Sequence, residues 1–346
     1  MKNTNLEKIS DKEITFVIQG PIIKASDATN KSSDFKREFT EGHIKEADVT
    51  KKSCDSIRKY FPESKIILST WKNSNSEDLD IDIKIESIDP GASNYYYKDQ
   101  KIKKLNNINR MLVSSYKGLM SVKTKFCVKL RSDMYFQSNN LSYLLGIVNS
   151  SNSSYARKKI IIPSNMAINP DREFKLLFHP SDTFYAGLTE DLVDLFNIPL
   201  MDDKQMTYFK NNETDIEKDS PILGQYTGEQ YLFYSYIKNK IQVNFENAFD
   251  FSKENKLIHD KVFSNLFFMF RNTKIGLNCY KFPMSFFSST LYYAYTEHEF
   301  NKLSDKQSLF DFERLLSNII KNLKLSILFF SKNLYLKIKS YFITKI

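Results

Sequence analysis

The stretch Phe126-Cys-Val-Lys-Leu-Arg-Ser-Asp-Met-Tyr135 decides the fold, because a short apolar run ends there in a polar cluster. Residues 126–130 predict a buried strand, and Arg131, Ser132 and Asp133 follow at its carboxyl end. In an open α/β sheet that edge is where ligands bind, so a charged pair there suits a diphosphate or a metal-bound diphosphate. A surface ion pair at a strand terminus is the alternative interpretation.

The segments that precede this strand alternate between strands and helices. Two amphipathic helices are predicted at residues 44–61 and 105–122. Strands are predicted at residues 14–18, 65–71 and 81–88, the last with the alternation of an edge strand. Such an order predicts an α/β fold in which a mixed, mostly parallel, Rossmann-like sheet is flanked by helices.

Beyond the central strand the pattern continues with weaker signals. Helices are predicted at residues 141–148, 190–196 and 228–237, and strands at residues 158–162 and 183–187. A polar turn, residues 178–182, precedes the second of these strands. Residues 22–42 and 201–220 are polar or highly charged and predict loops, while the aromatic-rich residues 250–298 give no definite assignment.

The composition excludes several classes of protein. With 346 residues, 41% of them hydrophobic and 14% aromatic, the chain builds a substantial core and is not a disordered protein. The net charge of +9 predicts an anionic partner: nucleic acid, an anionic membrane surface or a phosphorylated substrate. Because no nucleic-acid-binding module is recognisable and the densest basic stretch alternates with apolar residues, the membrane surface is the preferred interpretation.

That basic stretch is the carboxyl-terminal tail. After Glu313 the chain carries six Lys and no acid, and apolar residues recur three or four positions apart at Leu316, Ile319, Ile320, Leu323, Ile327, Phe330 and Leu334. The pattern predicts a basic amphipathic helix in an anionic membrane interface, although a terminal helix packed on the core has the same spacing. We therefore divide the chain into a main domain, residues 1–305, and a helical membrane-associating tail, residues 306–346.

Neither a targeting segment nor a membrane span is indicated. Residues 1–12 lack the apolar core of a secretion signal, and no apolar run reaches about 18 residues, the length of a membrane-crossing helix. Cys54, Cys127 and Cys279 are scattered, which predicts core residues in a reducing compartment and neither disulfides nor a zinc site. We therefore expect a cytoplasmic protein attached peripherally to a membrane.

Polar residues follow four of the predicted strands, and the carboxyl ends of parallel strands meet at one edge of a sheet. At that edge Gly20 allows close backbone approach, Asp89 accepts hydrogen bonds from a ribose or base, and arginines pair with phosphate. The candidate nucleotide-binding residues are Gln19, Gly20, Pro21, Thr70, Asp89, Asn107, Arg110, Arg131 and Asp133. The glycine-rich phosphate loops of both common types are absent from the sequence.

Several ordered segments carry a resemblance to a known family. They are residues 15–22 (TFVIQGPI), 54–62 (CDSIRKYFP), 67–71 (ILSTW), 89–91 (DPG), 106–110 (NNINR), 129–134 (KLRSDM), 179–182 (HPSD) and 228–231 (GEQY). Together they resemble the WavE family of lipopolysaccharide-synthesis proteins. The resemblance implies a glycosyltransferase with a GT-A-like fold, acting on lipopolysaccharide core, O-antigen or capsule in a Gram-negative bacterium.

The same resemblance implies the substrates and a cofactor: a nucleotide-sugar donor, a lipid-linked glycan acceptor at the inner membrane and a divalent metal, Mg or Mn. In that fold the two acids of a D-x-D motif normally hold the metal after the central strand. Here the triplet is Arg131-Ser132-Asp133, with arginine at the first position. Either Asp133 binds the metal together with water and phosphate oxygens, or Arg131 replaces the charge of the metal.

The resemblance also implies a catalytic base for inverting transfer, since the acceptor hydroxyl loses a proton as the sugar moves. Glu229 occupies the place where GT-A enzymes commonly put that base, and Asp182 is the other candidate. The helix dipole alone also explains a glutamate at a helix start, and His179 is either a substrate contact or a structural residue. Two other functions stay open: a sugar-phosphate or nucleotidyl transferase of surface-polysaccharide synthesis, and a non-catalytic membrane-associated assembly protein.

Overall fold

A seven-stranded sheet runs through the molecule in a computed structural model, which describes residues 7–24, 48–96, 103–164, 167–212, 224–280 and 293–304. The strands are Ile14–Gln19 (β1), Lys65–Trp71 (β2), Ile83–Ser87 (β3), Ser93–Tyr96 (β4), Lys103–Asn106 (β5), Phe126–Arg131 (β6), Met134–Phe136 (β7), Ile160–Pro163 (β8), Phe184–Leu188 (β9), Phe267–Phe270 (β10) and Leu277–Cys279 (β11). The helices are Val49–Tyr60 (α1), Ile108–Met120 (α2), Leu141–Asn149 (α3), Thr189–Phe196 (α4), Asp203–Met206 (α5), Tyr208–Asn211 (α6), Gly228–Ile237 (α7), Lys253–Leu266 (α8) and Glu297–Ser304 (α9).

The strand order across the sheet is β10-β8-β9-β6-β1-β2-β3. β1 is parallel to β2 and β6, β2 is parallel to the edge strand β3, and β10 is parallel to β8. β9 is antiparallel to both of its neighbours, β6 and β8. Separate antiparallel ladders join β4 to β5 and β7 to β11. The predicted α/β class, with a mixed, mostly parallel, Rossmann-like sheet flanked by helices, is confirmed.

The central strands are apolar on both faces because helices cover both faces of the sheet. Successive side chains of a strand point to opposite faces. Val17 and Cys127 therefore belong to a core shared with α2, α4 and α7, whereas Phe16 and Val128 belong to a core shared with α1 and α3.

Helix α2 packs closely on the sheet because of Gly118. A Cβ atom at this position would lie 2.5 Å from Val17 Cγ1 and 2.9 Å from Ser69 Cβ, too close for a well-packed core. The helix therefore fits against β1 and β2. This packing brings its first turn, which carries Arg110, to the edge where those strands end.

Three segments differ from the sequence-based assignments. Residues 103–106 form β5, and the helix predicted from residue 105 begins at Ile108, because Asn106 Oδ1 accepts the Ile108 amide in a turn. Residues 201–220 were predicted as a loop but contain α5 and α6; Asp202 and Gln205 form a capping box that starts α5. Residues 250–298 contain α8, which Ser252 caps.

Several predictions lie outside the described residues: most of the loop at 22–42, the first turn of the helix predicted from residue 44, and the tail, residues 306–346. The division into two domains at residue 305 therefore stays a prediction. Among the helices that the structure describes, none combines the length and the apolar character needed to cross a membrane.

Candidate functional site

The carboxyl ends of β1, β2, β3 and β6 lie along one edge of the sheet. The register pairs Gln19 with both Arg131 and Ser69. Because β9 runs the other way, its amino end reaches this same edge, where the Arg131 amide donates to the Thr183 carbonyl at 3.1 Å. Asp182, directly before Thr183, is thereby brought beside the predicted pocket residues of β1 and β6.

The triplet Arg131-Ser132-Asp133 is fixed by its main chain as well as by its strand. The Ser132 amide donates to the Gln19 carbonyl at 3.0 Å, and the Tyr280 amide donates to the Asp133 carbonyl at 2.9 Å. The triplet is therefore tied to the end of β1, to the start of β9 and to the residue that follows β11. Such a segment holds its side chains in fixed positions before any ligand arrives.

Arg131 and Asp133 form a bidentate ion pair. Arg131 Nε and Nη2 donate to the two carboxylate oxygens of Asp133 at 3.0 and 2.5 Å, and Cys279 Sγ lies 3.5 Å from the second oxygen. The Asp133 side chain is 3% exposed and that of Arg131 is 19% exposed, so the pair is not on the surface. Burial acts to lower the pKa of Arg131, but the charges of Asp133 and Asp182 outweigh it and hold the pKa above its ordinary value.

In this geometry Arg131 competes with a divalent metal for the carboxylate of Asp133. Mg and Mn take oxygen ligands, whereas both carboxylate oxygens of Asp133 accept hydrogen bonds from Arg131. Among the described residues, no group of three or more His, Cys, Asp or Glu side chains is arranged to hold a metal. The guanidinium of Arg131 supplies a positive charge at this position. The predicted use of a metal is tested below by transfer in the presence of EDTA.

The turn after β1 brings the backbone close to the triplet. Gly20 has a φ of +118°, which L side chains rarely adopt, and a Cβ atom there would lie 3.3 Å from Ser132 Oγ. The Gly20 amide donates to the Ser69 carbonyl at 3.1 Å. Gln19 Oε1 accepts from Ser114 Oγ of α2 at 2.7 Å, which fixes the amide at the sheet edge.

A second arginine–carboxylate pair follows β3. Arg110 Nε and Nη2 donate to Asp89 Oδ1 and Oδ2 at 2.8 and 2.7 Å, and Arg110 Nη1 donates to Asn107 Oδ1 at 3.1 Å. The Arg110 hydrogen bond is the main cause that lowers the pKa of Asp89. Both side chains are about one third exposed, so this pair faces solvent at the edge, in reach of a ligand.

Two predicted pocket residues have other surroundings. Thr70 is fully buried, and its Oγ1 donates to Ser74 Oγ at 3.4 Å, which supports the turn after β2. Pro21 is exposed. The other predicted residues form two groups, one at the ends of β1 and β6 and one after β3. Ser114 links them, since its Oγ lies 2.7 Å from Gln19 Oε1 and 2.8 Å from the Arg110 carbonyl.

Helix α7 presents Glu229 in its first turn. A capping box starts the helix, in which Thr227 Oγ1 accepts the Gln230 amide and Gln230 Oε1 accepts the Thr227 amide, each at 3.1 Å. Glu229 Oε2 lies 3.4 Å from His179 Nε2, and the Glu229 side chain is 24% exposed. Burial raises the pKa of Glu229; His179 opposes the rise and Asp182 adds to it. A partly exposed carboxylate with a raised pKa is suited to accept a proton.

Sequence reasoning missed Lys129, which stands inside the apolar run of β6. It is fully buried, its Nζ donates to the main-chain carbonyl of Asp182, and Nζ lies 5.8 and 5.5 Å from the ring centroids of Tyr185 and Phe196. Burial lowers the pKa of Lys129 to about 8, against the charge of Asp182. The sequence feature that could have revealed it is a lysine within an otherwise apolar strand. A lysine buried in a strand nearly always has a partner, so this position predicts one.

Sequence reasoning also missed the role of Gln230, the residue after Glu229. This side chain is fully buried, and Nε2 donates to the Leu177 carbonyl at 2.9 Å and to the Ala248 carbonyl at 3.1 Å. Gln230 therefore links the start of α7 to the loop before His179 and to the loop before α8.

Comparisons with known proteins were made for the whole chain. The family model described as WavE lipopolysaccharide synthesis matches residues 14–337. The comparison with curated proteins found no match. Among solved structures, the chain is similar to 4-diphosphocytidyl-2C-methyl-D-erythritol synthase from Anaerococcus prevotii DSM 20548, with 13% identity and a TM-score of 0.31 over 67% of this chain and 100% of that one.

A second solved structure has a similar score. The chain is similar to a cytidylyltransferase from Leptospira borgpetersenii serovar Hardjo-bovis, with 12% identity and a TM-score of 0.29 over 73% of this chain and 96% of that one. At such scores these two similarities carry no argument about function.

Proposed function

The chain belongs to the WavE lipopolysaccharide synthesis family, and from this premise we propose that it is a glycosyltransferase. It moves a sugar, with inversion, from a nucleotide-sugar donor to a lipid-linked acceptor glycan. The observation that carries the proposal is the position of Glu229: a partly buried carboxylate stands beside His179 at the sheet edge that also holds the two arginine–carboxylate pairs.

Glu229 supplies the base. The acceptor hydroxyl oxygen bonds to the anomeric carbon, the bond from that carbon to the donor phosphate oxygen breaks, and the hydroxyl proton passes to the Glu229 carboxylate. The raised pKa of Glu229 makes it a better proton acceptor than an exposed glutamate. His179, 3.4 Å away, orients the carboxylate. The leaving group is a nucleoside phosphate.

The donor lies along the ends of β1, β3 and β6. Gln19 and Asp89 offer an amide and a carboxylate to the ribose and base, and the guanidinium groups of Arg110 and Arg131 stabilise the phosphate charge. Asp133 orients Arg131 through the bidentate pair. In this proposal Arg131 stabilises the phosphate charge of the donor, a role that a divalent metal could otherwise have.

The proposal is tested by a transfer assay with the purified protein. The acceptor is glycolipid extracted from the source bacterium after deletion of this gene, and the donors are UDP-, GDP-, CMP- and dTDP-activated sugars. We expect one donor to add one sugar to the glycolipid, seen by mass spectrometry, with release of nucleoside phosphate. Release of pyrophosphate would indicate a nucleotidyl transferase. No reaction with any donor would favour the assembly-protein function.

The Asp133→Asn variant tests the arginine–carboxylate pair. Loss of a charge-assisted hydrogen bond costs enough to lower donor binding and transfer by about 10- to 100-fold. Transfer rate and nucleotide binding by thermal shift are measured with and without EDTA, and wild-type transfer is expected to persist in EDTA.

The matched control for this variant is Asp82→Asn. Asp82 pairs with Arg58 at 2.8 Å, at the amino end of β3 and so at the opposite edge of the sheet. The control is expected to keep full transfer. Full transfer by Asp133→Asn, or loss of wild-type transfer in EDTA, would contradict the role given to the pair.

Membrane association through the tail is a further part of the proposal. The basic amphipathic pattern of residues 309–346 favours binding to anionic lipid. The full-length protein is expected to sediment with phosphatidylglycerol vesicles but not with phosphatidylcholine vesicles. The variant with glutamine at Lys321, Lys324, Lys332, Lys337, Lys339 and Lys345 is expected to stay in solution. Equal sedimentation of the two proteins would exclude the tail as the attachment site.

A further inference from the structure

Four partly exposed aromatic side chains stand on segments linked to α7, and the proposed donor site does not use them. Phe174 is 43% exposed, Phe249 and Phe251 are each 38% exposed, and Tyr293 is partly exposed. Single exposed aromatic residues are common on protein surfaces, but a contiguous group indicates a binding surface. We call these four residues the aromatic patch.

Contacts link the segments that carry the aromatic patch. The rings of Phe174 and Tyr293 meet edge to face, with centroids 5.0 Å apart. Lys175, next to Phe174, places its Nζ 5.5 Å from the ring centroid of Phe251. Phe249 stands two residues before Phe251 on the loop that leads into α8. The four side chains therefore come from three segments of the chain, and the ring of Phe249 also packs on that of Phe209, with centroids 5.4 Å apart.

The aromatic patch is attached to the helix that carries the proposed base. Gln230 holds the carbonyls of Leu177 and Ala248, which lie in the loops that present Phe174 and Phe249. Tyr293 is joined to the same region by main-chain bonds: the Asn169 amide donates to the Tyr293 carbonyl at 2.9 Å, and the Ile168 amide donates to the His179 carbonyl at 3.1 Å.

The pKa of Tyr293 also indicates that this residue lies close to Glu229. Burial raises the pKa of Tyr293, and the charge of Glu229 raises it further. Tyr293, at the edge of the aromatic patch, therefore lies within the electric field of the Glu229 carboxylate.

The chemistry of the aromatic patch suits sugar rings better than acyl chains. One face of a pyranose ring is formed by C–H groups and packs on an aromatic ring, while its hydroxyls need polar partners. Charged groups of both signs stand beside the aromatic rings in space or in sequence: Lys175 contacts Phe251, and Asp171, three residues before Phe174, pairs with Lys256 at 3.2 Å. An acyl chain would require a continuous apolar surface, and an anionic membrane would require a mainly basic one.

We propose that the aromatic patch of Phe174, Phe249, Phe251 and Tyr293 binds the sugar rings of the acceptor glycan and presents its hydroxyl to Glu229. The assignment of this glycan as the acceptor rests on the proposed function. Binding of the glycan itself does not require turnover, and so the two can be tested separately.

The test uses the full-length protein and one defined probe. The probe is the oligosaccharide released by deacylation of glycolipid from the strain that lacks this gene. Its binding is measured by saturation-transfer NMR and titration for wild type, Phe174→Ala, Phe251→Ala and the double variant. Tyr143→Ala is the matched control, since Tyr143 is 42% exposed on α3, whose first turn lies beside Ile9 at the opposite edge of the sheet.

We expect the double variant to weaken oligosaccharide binding about tenfold or more, since two ring contacts are lost. Nucleotide binding, and oligosaccharide binding by Tyr143→Ala and by the conservative Phe174→Trp, are expected to stay close to wild type. Unchanged oligosaccharide binding by the double variant would overturn the proposal. Weaker binding of the intact glycolipid but not of the deacylated probe would also overturn it, because the rings would then contact acyl chains.

The experiments distinguish failure of the proposed function from failure of the proposed glycan site. If the wild type binds the oligosaccharide through the aromatic patch yet transfers no sugar from any donor, the glycan site stands and the glycosyltransferase proposal falls. If it transfers sugar and the double variant keeps the acceptor KM of the wild type, the transferase proposal stands and the patch falls.

Discussion

The Glu229→Gln variant is expected to lose about 10²- to 10⁴-fold in the turnover of sugar transfer, the usual contribution of a general base. Glutamine keeps the size and the hydrogen-bonding shape of the side chain but does not accept a proton. The variant is therefore expected to fold and to bind nucleotide as the wild type does. The measurement is kcat with saturating donor and glycolipid acceptor, together with nucleotide binding by thermal shift.

The pH dependence gives the same residue a second signature. Because burial raises the pKa of Glu229, the carboxylate becomes protonated, and inactive as a base, at a higher pH than an exposed glutamate. Turnover of the wild type is expected to fall on the acid side with an apparent pKa above the ordinary glutamate range. The residual activity of Glu229→Gln is expected to lack this acid limb.

Glu190→Gln is the matched control, since Glu190 also lies in the first turn of a helix, α4, and pairs with Arg157 at 2.7 Å. This variant is expected to retain wild-type turnover and pH profile. A Glu229→Gln variant that weakens nucleotide binding while kcat is unchanged would contradict the role of base, and Asp182 would then be the candidate to examine.

The Lys129→Met variant is expected to make the protein more stable and less active. The pKa of Lys129 falls from the ordinary 10.5 to about 8 in the folded chain. Each unit of pKa difference corresponds to about 1.4 kcal/mol, so the buried charge costs roughly 3 kcal/mol of folding free energy at pH 7. Methionine fills a similar volume without the charge, and it forgoes the hydrogen bond to the Asp182 carbonyl, so the net gain is smaller.

The sign of the pH dependence follows from linkage. Between the folded pKa of about 8 and the unfolded pKa of 10.5, the unfolded chain binds more protons at residue 129 than the folded chain does. Wild-type stability is therefore expected to rise through this interval relative to the variant. Unfolding in urea at pH 7 and at pH 10 measures the difference, which is expected to be large at pH 7 and small at pH 10.

Activity is expected to change in the opposite direction to stability. The Lys129 charge acts on Asp182, Asp133 and Glu229, so its loss removes one of the two buried positive charges, with Arg131, that act on the carboxylates of the site. Lys125→Met, at an exposed position directly before β6, is the control and is expected to change neither property. Destabilisation by Lys129→Met at pH 7 would show that Lys129 is a structural residue.

The sequence predicts those parts of the site that depend on strand direction alone. Gln19 and Arg131 stand at the ends of parallel strands, and parallel strands bring their carboxyl ends to one edge whatever their other residues are. Arg131 and Asp133 are two residues apart at the end of a strand, close enough in the chain to pair. The expected ion pair exists, but it is buried, because the loop before β9 and the residues after β11 cover it.

Other parts of the site depend on tertiary packing. The antiparallel direction of β9, which brings Asp182 to the edge, is not encoded in the pattern of its apolar residues. Glu229 is remote in sequence and reaches the edge through α7. Lys129 stands among the apolar residues of its strand, and its partner, the Asp182 carbonyl, lies 53 residues away in the sequence. A spacing pattern contains no information on such pairings.

The way in which Gln230 holds its two loops has an evolutionary consequence. Its Nε2 donates to the main-chain carbonyls of Leu177 and Ala248. These bonds do not depend on which side chains the two loops carry. Substitutions at Phe174, Phe249 or Phe251 leave these bonds, and the placement of the carboxylate one residue earlier, intact. If the aromatic patch binds the acceptor glycan as we propose, single changes on the loops would alter which glycan is recognised without moving Glu229.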